Sequence, residues 1–520
     1  MHENQVLPRA GRTYIDQILE VWEQDGDTEA LVQGDLRISR SEARDMLFRL
    51  GNALLAKGLR PGDPVGLFLA NRPAAVLAQL AVHLVGCRVV FLPPEPGMGE
   101  LAALADQAEV KAVVFDPVFA EQATALPGLM ESTPLLLGLG PVDGADDLLA
   151  AADAEPAHRP PAGPPLAADD VITVLYTGGT LGRPKLAAHG RGPYDRLIPA
   201  EGVTTPWPMG PRIMVATLIT HASGHLTSVQ GLVWGSTVVL LPEFEAREAL
   251  TVLREERISA VFFVPPMLYE VLDLPDCRPG EYPHLQAIYV GGAASAPGRL
   301  RRAAEVFGPV IGELYGQSEA LGVSSMTADD LHEDHPERWA SCGRLISGLE
   351  LQARDEDGRV LPDGETGELF VRGDTVMLRY YRDPERTAAA LDDGWLRTGD
   401  VGYRDADGFV YLVDRAKDII VTGRTSDNVY SRVLEDFVTT LDGVRNAAAV
   451  AVPDDRYGEA VQLFLATDKD EDVDPEAVRT AVVAELGELY SPREIVQLRS
   501  LPVTRIGKVD KKALRATVVG

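Results

Sequence analysis

The stretch Val171-Ile172-Thr173-Val174-Leu175-Tyr176-Thr177-Gly178-Gly179-Thr180-Leu181-Gly182-Arg183-Pro184-Lys185 sets an apolar run against glycines, hydroxyls and a lysine. The first half reads as a buried strand. The second half brings backbone N–H groups, hydroxyl donors and a positive charge to one turn, the make-up of a loop that cradles phosphate. It is not a Walker A loop, because Pro184 separates the last glycine from Lys185. Two further apolar strands end in the same way. Residues 285–290 run into Gly291-Gly292, and residues 310–315 into Gly316-Gln317-Ser318-Glu319. Ligands of open parallel sheets lie beyond the carboxyl ends of the strands, so the three loops predict one pocket.

Outward from this centre, residues 13–58 carry helical apolar spacing around a turn at Gly34-Asp35. From Val65 to about residue 125, strands alternate with helices, the order of parallel βα units. Residues 150–170 are rich in Ala, Pro and Asp without periodicity and read as a surface connection between two α/β halves. After Leu349 the turns Asp357-Gly358, Asp363-Gly364 and Asp407-Gly408 predict hairpins and a small β-barrel. A last unit of mixed helix and strand begins near Arg415 and ends in a basic tail.

The chain has 520 residues, 45% hydrophobic and 24% charged, a globular composition long enough for two to four domains. Its 49 basic and 78 acidic residues leave a net charge of -29, a field that repels nucleic acid and anionic membranes. An anionic small substrate therefore needs a local cationic site. Cys87, Cys277 and Cys342 lie far apart with no C-x-x-C pair, which fits a reducing cytoplasm. The longest apolar stretch, residues 76–92, is broken by Gln79, His83, Gly86 and Arg88 and reads as a buried helix running into an inner strand. With no signal-peptide order at the start, the expectation is a soluble, cytoplasmic protein without a nucleic-acid or membrane partner.

The loop 176–185 stands in order with Leu314-Tyr315-Gly316-Gln317-Ser318-Glu319-Ala320, Gly367-Glu368-Leu369-Phe370-Val371-Arg372-Gly373 and Trp395-Leu396-Arg397-Thr398-Gly399-Asp400. Asp414-Arg415-Ala416-Lys417-Asp418 and Gly507-Lys508-Val509-Asp510 complete the series. Together these segments resemble the adenylate-forming superfamily of acyl- and aryl-CoA synthetases, nonribosomal adenylation domains and luciferases. The resemblance implies a mixed α/β fold. Residues 1–414 would form a large N-terminal domain of two α/β subdomains plus a small β-barrel, and residues 415–520 a mobile, smaller α/β C-terminal lid.

It also implies ATP and Mg2+ and assigns roles. Thr177, Gly178, Gly179, Thr180 and Lys185 would hold phosphate. Tyr315 would stack on adenine, with Gly291, Gly292, Ala293 and Gly316 around the nucleotide. Ser318 would contact the α-phosphate, and Glu319 would bind the metal, since magnesium favours oxygen donors and retains waters. Asp400 would accept the ribose hydroxyls, and Arg415 would add a ribose or phosphate contact. Lys508 would be the catalytic lysine, Lys417 the hinge, and His221 the gate of the acyl pocket. Taken singly, these residues have plainer readings. Tyr315 fits a core aromatic, and Asp400 with Arg415 a surface ion pair of little energy. Lys511, Lys512 and Arg515 fit a solvated helix face. His221 and His225 have helical metal spacing but lack a third ligand, and His225 reads as a packed, hydrogen-bonded core histidine.

The implied reaction is MgATP-dependent adenylation of a carboxylic acid, aryl or arylacrylic, with pyrophosphate release and transfer to CoA or a carrier thiol. The sequence departs from the superfamily pattern on the acceptor side. Gly423-Arg424 stands where thioester-forming members carry Gly-Gly, and Val433 where the first acid of the next motif is usual. Gly178 replaces a usual serine, and Leu186 a common glycine. Two alternatives therefore stand beside CoA transfer. In one, a non-thiol second step follows: amide formation, or activation of a small anion such as nitrite for diazotisation of an aryl amine, with Arg424 holding the co-substrate. The other is an inactive nucleotide-binding homologue, which would lack Glu319 or Lys508; both are present.

Overall fold

The computed structural model describes residues 12–92, 97–161, 163, 167, 169–177, 185–199, 210–332, 334–416, 418–422, 427–454, 458–467, 473–504 and 508–518. Two large sheets carry the first three-quarters of the chain. The strands Pro64–Phe68, Arg88–Phe91 and Ala112–Phe115 pair in parallel at the centre of an eight-stranded sheet. Thr173–Thr177 adds beside Arg88–Phe91, and Lys185–His189 folds back antiparallel on it. The helix Pro73–Leu84 and the strand after it confirm the buried reading of residues 76–92.

The second sheet has nine strands. Arg212–Val215, Thr237–Leu240, Ala260–Phe263, Ala287–Gly291 and Ile311–Gln317 form its parallel part, and Ala320–Met326 returns antiparallel. Pro73–Leu84 and Ala222–Val233 are packed in one apolar core with strands of both sheets, including Val65, Leu67, Val89, Ile213, Val215 and Val238. This sandwich places the strand ends 177, 291 and 317 around one cleft.

Residues 13–58 correct the helical expectation. The helices Tyr14–Gln24 and Arg40–Ala56 flank a hairpin, Glu29–Gln33 with Leu36–Ser39, whose turn holds Gly34-Asp35. Ala30, Leu31 and Val32 are all buried because Glu29–Gln33 adds in parallel to Thr237–Leu240 of the distant second sheet. A three-residue buried run of this kind has no period to separate strand from helix.

The strands after Leu349 take the predicted antiparallel hairpin form. They build a five-stranded sheet of Glu350–Arg354, Gly367–Arg372, Trp395–Arg404 and Leu391–Asp392, with Val410–Arg415 on Trp395–Arg404. The described pairings close no ring. The small C-terminal domain has a three-stranded sheet, Val444–Asp454, Gly458–Thr467 and Glu494–Leu498, with the helices Ser431–Val438, Pro475–Leu486 and Lys511–Val518. Among the described residues no helix is long and apolar enough to cross a membrane.

The core of the large domain buries polar rings. His225 accepts from the Tyr194 hydroxyl at 2.8 Å on Nε2 and meets Gln79 Oε1 at 2.9 Å through Nδ1. His83 meets the Tyr14 hydroxyl at 2.5 Å and the Ile172 carbonyl at 3.1 Å. Burial pulls His225 down to about 3, and His83 and His189 down to about 4. All three are neutral in the fold and titrate near their ordinary value once unfolded. Their contribution is whole above pH 6.5 and is lost as pH falls towards 4, at about 1.4 kcal/mol per pH unit for each histidine. Glu313 and Glu435, pushed up to about 7 by burial, act in the opposite sense over the same range, so the rings are best read directly. NMR titration of the folded chain should keep His83, His189 and His225 as neutral imidazoles from about pH 7 to 5, and a midpoint near 6.5 for any of them would contradict the buried, neutral assignment.

Candidate active site

The cleft between the two sheets and the small domain has a volume of ≈ 2860 Å³. That exceeds the roughly 300–1,000 Å³ of a site for one small molecule, so it has room for a nucleotide and a second substrate together. Thr177, Lys185, His221, Gly292, Ala293, Tyr315, Gly316, Ser318, Glu319, Asp400, Arg415 and Lys508 all line it. The residues Gly178, Gly179, Thr180, Lys417 and Arg424 named from the sequence lie outside the described residues.

Ser318 and Glu319 are the two-residue turn between Ile311–Gln317 and Ala320–Met326, since Gln317 pairs with Ala320. A turn aims both side chains off the sheet. His189, buried and neutral, holds the Ser318 carbonyl at 2.7 Å. The Met377 N–H donates to the Glu319 carbonyl at 2.8 Å. The Glu319 carboxylate accepts from the Tyr380 hydroxyl at 2.8 Å and from the Thr177 hydroxyl at 3.3 Å. Lys185 Nζ donates to the same Tyr380 oxygen at 3.2 Å and lies 4.8 Å from the centre of its ring. Tyr380 is placed by the short strand Arg379–Tyr380, which pairs with Lys185–His189. One phenol thus bridges the cation and the carboxylate. A cleft-wall carboxylate beside a hydroxyl, with phosphate and water completing the shell, would be a donor set that fits magnesium.

On the strand leading into this turn, Tyr315 donates to Asp400 Oδ2 at 2.6 Å, and Arg415 Nη1 donates to Asp400 Oδ1 at 2.7 Å. Asp400 is 6% exposed, so this is no surface ion pair, and Tyr315, 7% exposed, is both a core aromatic and a cleft wall. Burial raises the Asp400 carboxyl, while Arg415, Tyr315 and Lys508 oppose that rise. Gly292 has φ +80°, which favours glycine. Gly291 corrects the expectation of a wall residue. It is buried at the end of its strand, and a Cβ there would lie 2.3 Å from the Leu314 carbonyl oxygen. Its small size serves strand packing.

In the small domain the Thr504 N–H donates to the Lys508 carbonyl at 2.6 Å, and Val503 bridges Val509 antiparallel. This pairing holds Lys508 at the cleft, close enough to lower the Asp400 carboxyl. Lys511 corrects the solvated-face reading. Its Nζ donates to the Ser431 hydroxyl and pairs with Glu435, both at 2.7 Å, with the side chain 18% exposed. Arg515 pairs with Asp418 at 2.7 Å, and Lys512 is exposed as expected. His221 is the N-cap residue of Ala222–Val233 and faces the cleft. Both ring nitrogens of His225 are engaged inside the core, which removes it as a metal partner for His221.

A family model of AMP-binding enzymes matches residues 19–381, and one of the AMP-binding enzyme C-terminal domain matches residues 433–508. The chain belongs to the AMP-binding enzyme family. It is 34% identical over 501 residues to medium/long-chain-fatty-acid–CoA ligase FadD8 of Mycobacterium tuberculosis, covering 94% of this chain and 86% of that one. It is 30% identical over 489 residues to a feruloyl-CoA synthase of Amycolatopsis sp, covering 94% and 95%. The structure of amide bond synthetase McbA from Marinactinospora thermotolerans superposes with a TM-score of 0.87 at 34% identity, over 97% of this chain and 99% of that one. This AMP-binding enzyme is thus an AMP-forming ligase with the adenylate-forming fold.

Sequence reading missed Tyr380 and His189. Neither stands in a motif that announces chemistry; only the pairing of Arg379–Tyr380 with the strand that starts at Lys185 reveals the phenol's place. Replacing Tyr380 by Phe keeps the ring and removes the bridge. Since a hydrogen bond to a charged group contributes about 1.5–3 kcal/mol, calorimetry should show MgATP binding weakened by roughly ten-fold or more, with thermal stability lowered as well because the bridge is already made in the free fold. Unaltered affinity would show that the bridge does not prepare the site.

Proposed function

We propose that this enzyme adenylates a carboxylic acid, aryl or arylacrylic, and passes the acyl group to CoA or a carrier thiol. The observation that carries this reading is the meeting of Lys508, from the small domain, with Lys185, Glu319, Asp400 and Arg415 of the larger body in one cleft. In this reading residues 1–414 form the fixed body, and residues 415–520 a lid turning at Lys417.

The chemistry sets the demand. A carboxylate must attack the α-phosphorus of ATP, so two anions approach while charge builds on the transferring group. Bound magnesium would supply charge neutralisation at the phosphates, with Glu319 as its protein ligand. Asp400 takes the ribose hydroxyls and Tyr315 packs against the base, which fixes the α-phosphate relative to the Ser318 turn. Lys185 steadies the departing pyrophosphate. Lys508 faces the attacking oxygen and the α-phosphate, and His221 closes the acyl side against water. A cation about 4 Å away at an effective dielectric near 20 contributes roughly 4 kcal/mol.

A second reading keeps the first step and changes the acceptor to an amine. Two observations favour it: the fold similarity to the amide bond synthetase at 34% identity, and Arg424 beside Gly423.

In single-turnover assays Lys508→Ala should slow adenylate formation by about 10² to 10³ while leaving ATP binding largely intact; a near-normal rate would refute the assignment. Wild-type enzyme given ATP and acid should form acyl-CoA when CoA is supplied, and no amide or diazo product when an amine, or nitrite with an aryl amine, is supplied instead. Amide or diazo product without acyl-CoA would overturn thiol transfer and leave adenylation standing.

A further inference from the structure

The helix Ala222–Val233 is held to the second sheet by its small residues. A Cβ at Gly231 would lie 2.1 Å from Ile213 Cδ1, and one at Gly224 2.2 Å from the Leu218 carbonyl oxygen. With the glycine face pressed down, the flank beside it is fixed. Ser223, Leu226, Thr227 and Gln230 line the cleft, followed by Trp234 one turn on, and all five are partly exposed to it. The spacing i, i+3, i+4, i+7 is one stripe of a helix.

That stripe is polar where an alkyl pocket would be apolar. Among the described residues the side chains of Ser223, Thr227 and Gln230 have no hydrogen-bond partner, although the neighbouring Ser228 bonds back to the Gly224 carbonyl at 2.7 Å. The same cleft is also lined by Leu197, Ile198, Leu321 and Ile346. An apolar body with a hydrogen-bonding edge satisfies both sets. A plain alkyl chain would strip water from three polar groups and return nothing.

We propose that this helix face selects acids carrying a hydroxyl, amino or similar hydrogen-bonding substituent far from the carboxylate, and disfavours long alkyl acids. The proposal rests on the adenylation reading, with His221 at the reacting end. At 1.5 Å per residue, Thr227 and Gln230 lie about 9 and 13 Å along the axis from His221. The polar substituent therefore lies on the order of 10 Å from the reacting end, beyond a ring joined to a short acid arm, with the helix side chains reaching to meet it.

The test is acid-dependent pyrophosphate exchange with matched pairs: arylalkenoic acids bearing a para hydroxyl or amino group against their para-methyl analogues, and a straight-chain acid of the same length. Wild type should favour the polar member at least about ten-fold in kcat/KM. Thr227→Val with Gln230→Leu should bring that ratio close to one by slowing the polar acid while the methyl acid is unchanged or improved. Equal use of both members by wild type, preference for the alkyl acid, or a ratio unmoved in a folded double variant would overturn the proposal. Should the double variant fail to fold, the wild-type ratio decides alone. Absence of exchange with every acid would instead sink the adenylation reading itself.

Discussion

Anion meets anion at the centre of this fold, and everything around the cleft answers that problem. The chain carries a net charge of -29, so its general field opposes both ATP and a carboxylate. Attraction has to come from a few cations at short range, where the lower dielectric of a cleft strengthens each of them. Lys185 stands at the start of a strand in the first sheet, Arg415 at the end of a hairpin strand, and Lys508 in the small domain, paired with Thr504. No single element supplies them, which is why a fold of several packed bodies is needed.

The carboxylates are restrained by the same parts. Asp400 is held between a phenol and a guanidinium, and Glu319 between a phenol and a threonine hydroxyl. Tyrosine suits the task because its ring packs into the core while its hydroxyl reaches a charged partner. In the small domain, Lys511 and Glu435 form a part-buried pair next to Ser431, whose backbone and hydroxyl contact Asp414. Removing one member of a buried pair leaves the other charge uncompensated. The small domain therefore has an electrostatic seat beside Asp414.

Much of the fold was legible because its signals are local. Apolar strands running into small and polar residues pointed to the strand ends at Thr177, Gly292 and Gln317 that meet at the cleft, and Asp-Gly turns pointed to the antiparallel sheet. The hairpin Glu29–Ser39 was not legible, since its burial comes from pairing with a strand some two hundred residues away. Lys511 looked like its exposed neighbour Lys512 because sequence shows charge but not the carboxylate it will meet. Gly291 was read as a ligand-side glycine, whereas a neighbouring carbonyl imposes it. Tyr380 was invisible for the related reason that its partners, Lys185 and Glu319, lie 195 and 61 residues away in the chain.

The central claim is that cations from both domains and the Ser318-Glu319 turn assemble a site for transferring the innermost phosphorus of ATP to a carboxylate. Isotope exchange between pyrophosphate and ATP, measured on the full chain with and without a panel of carboxylic acids, tests it most directly. The account predicts exchange that requires magnesium and rises sharply with at least one acid. Tight ATP binding with no acid-dependent exchange across the panel would contradict it.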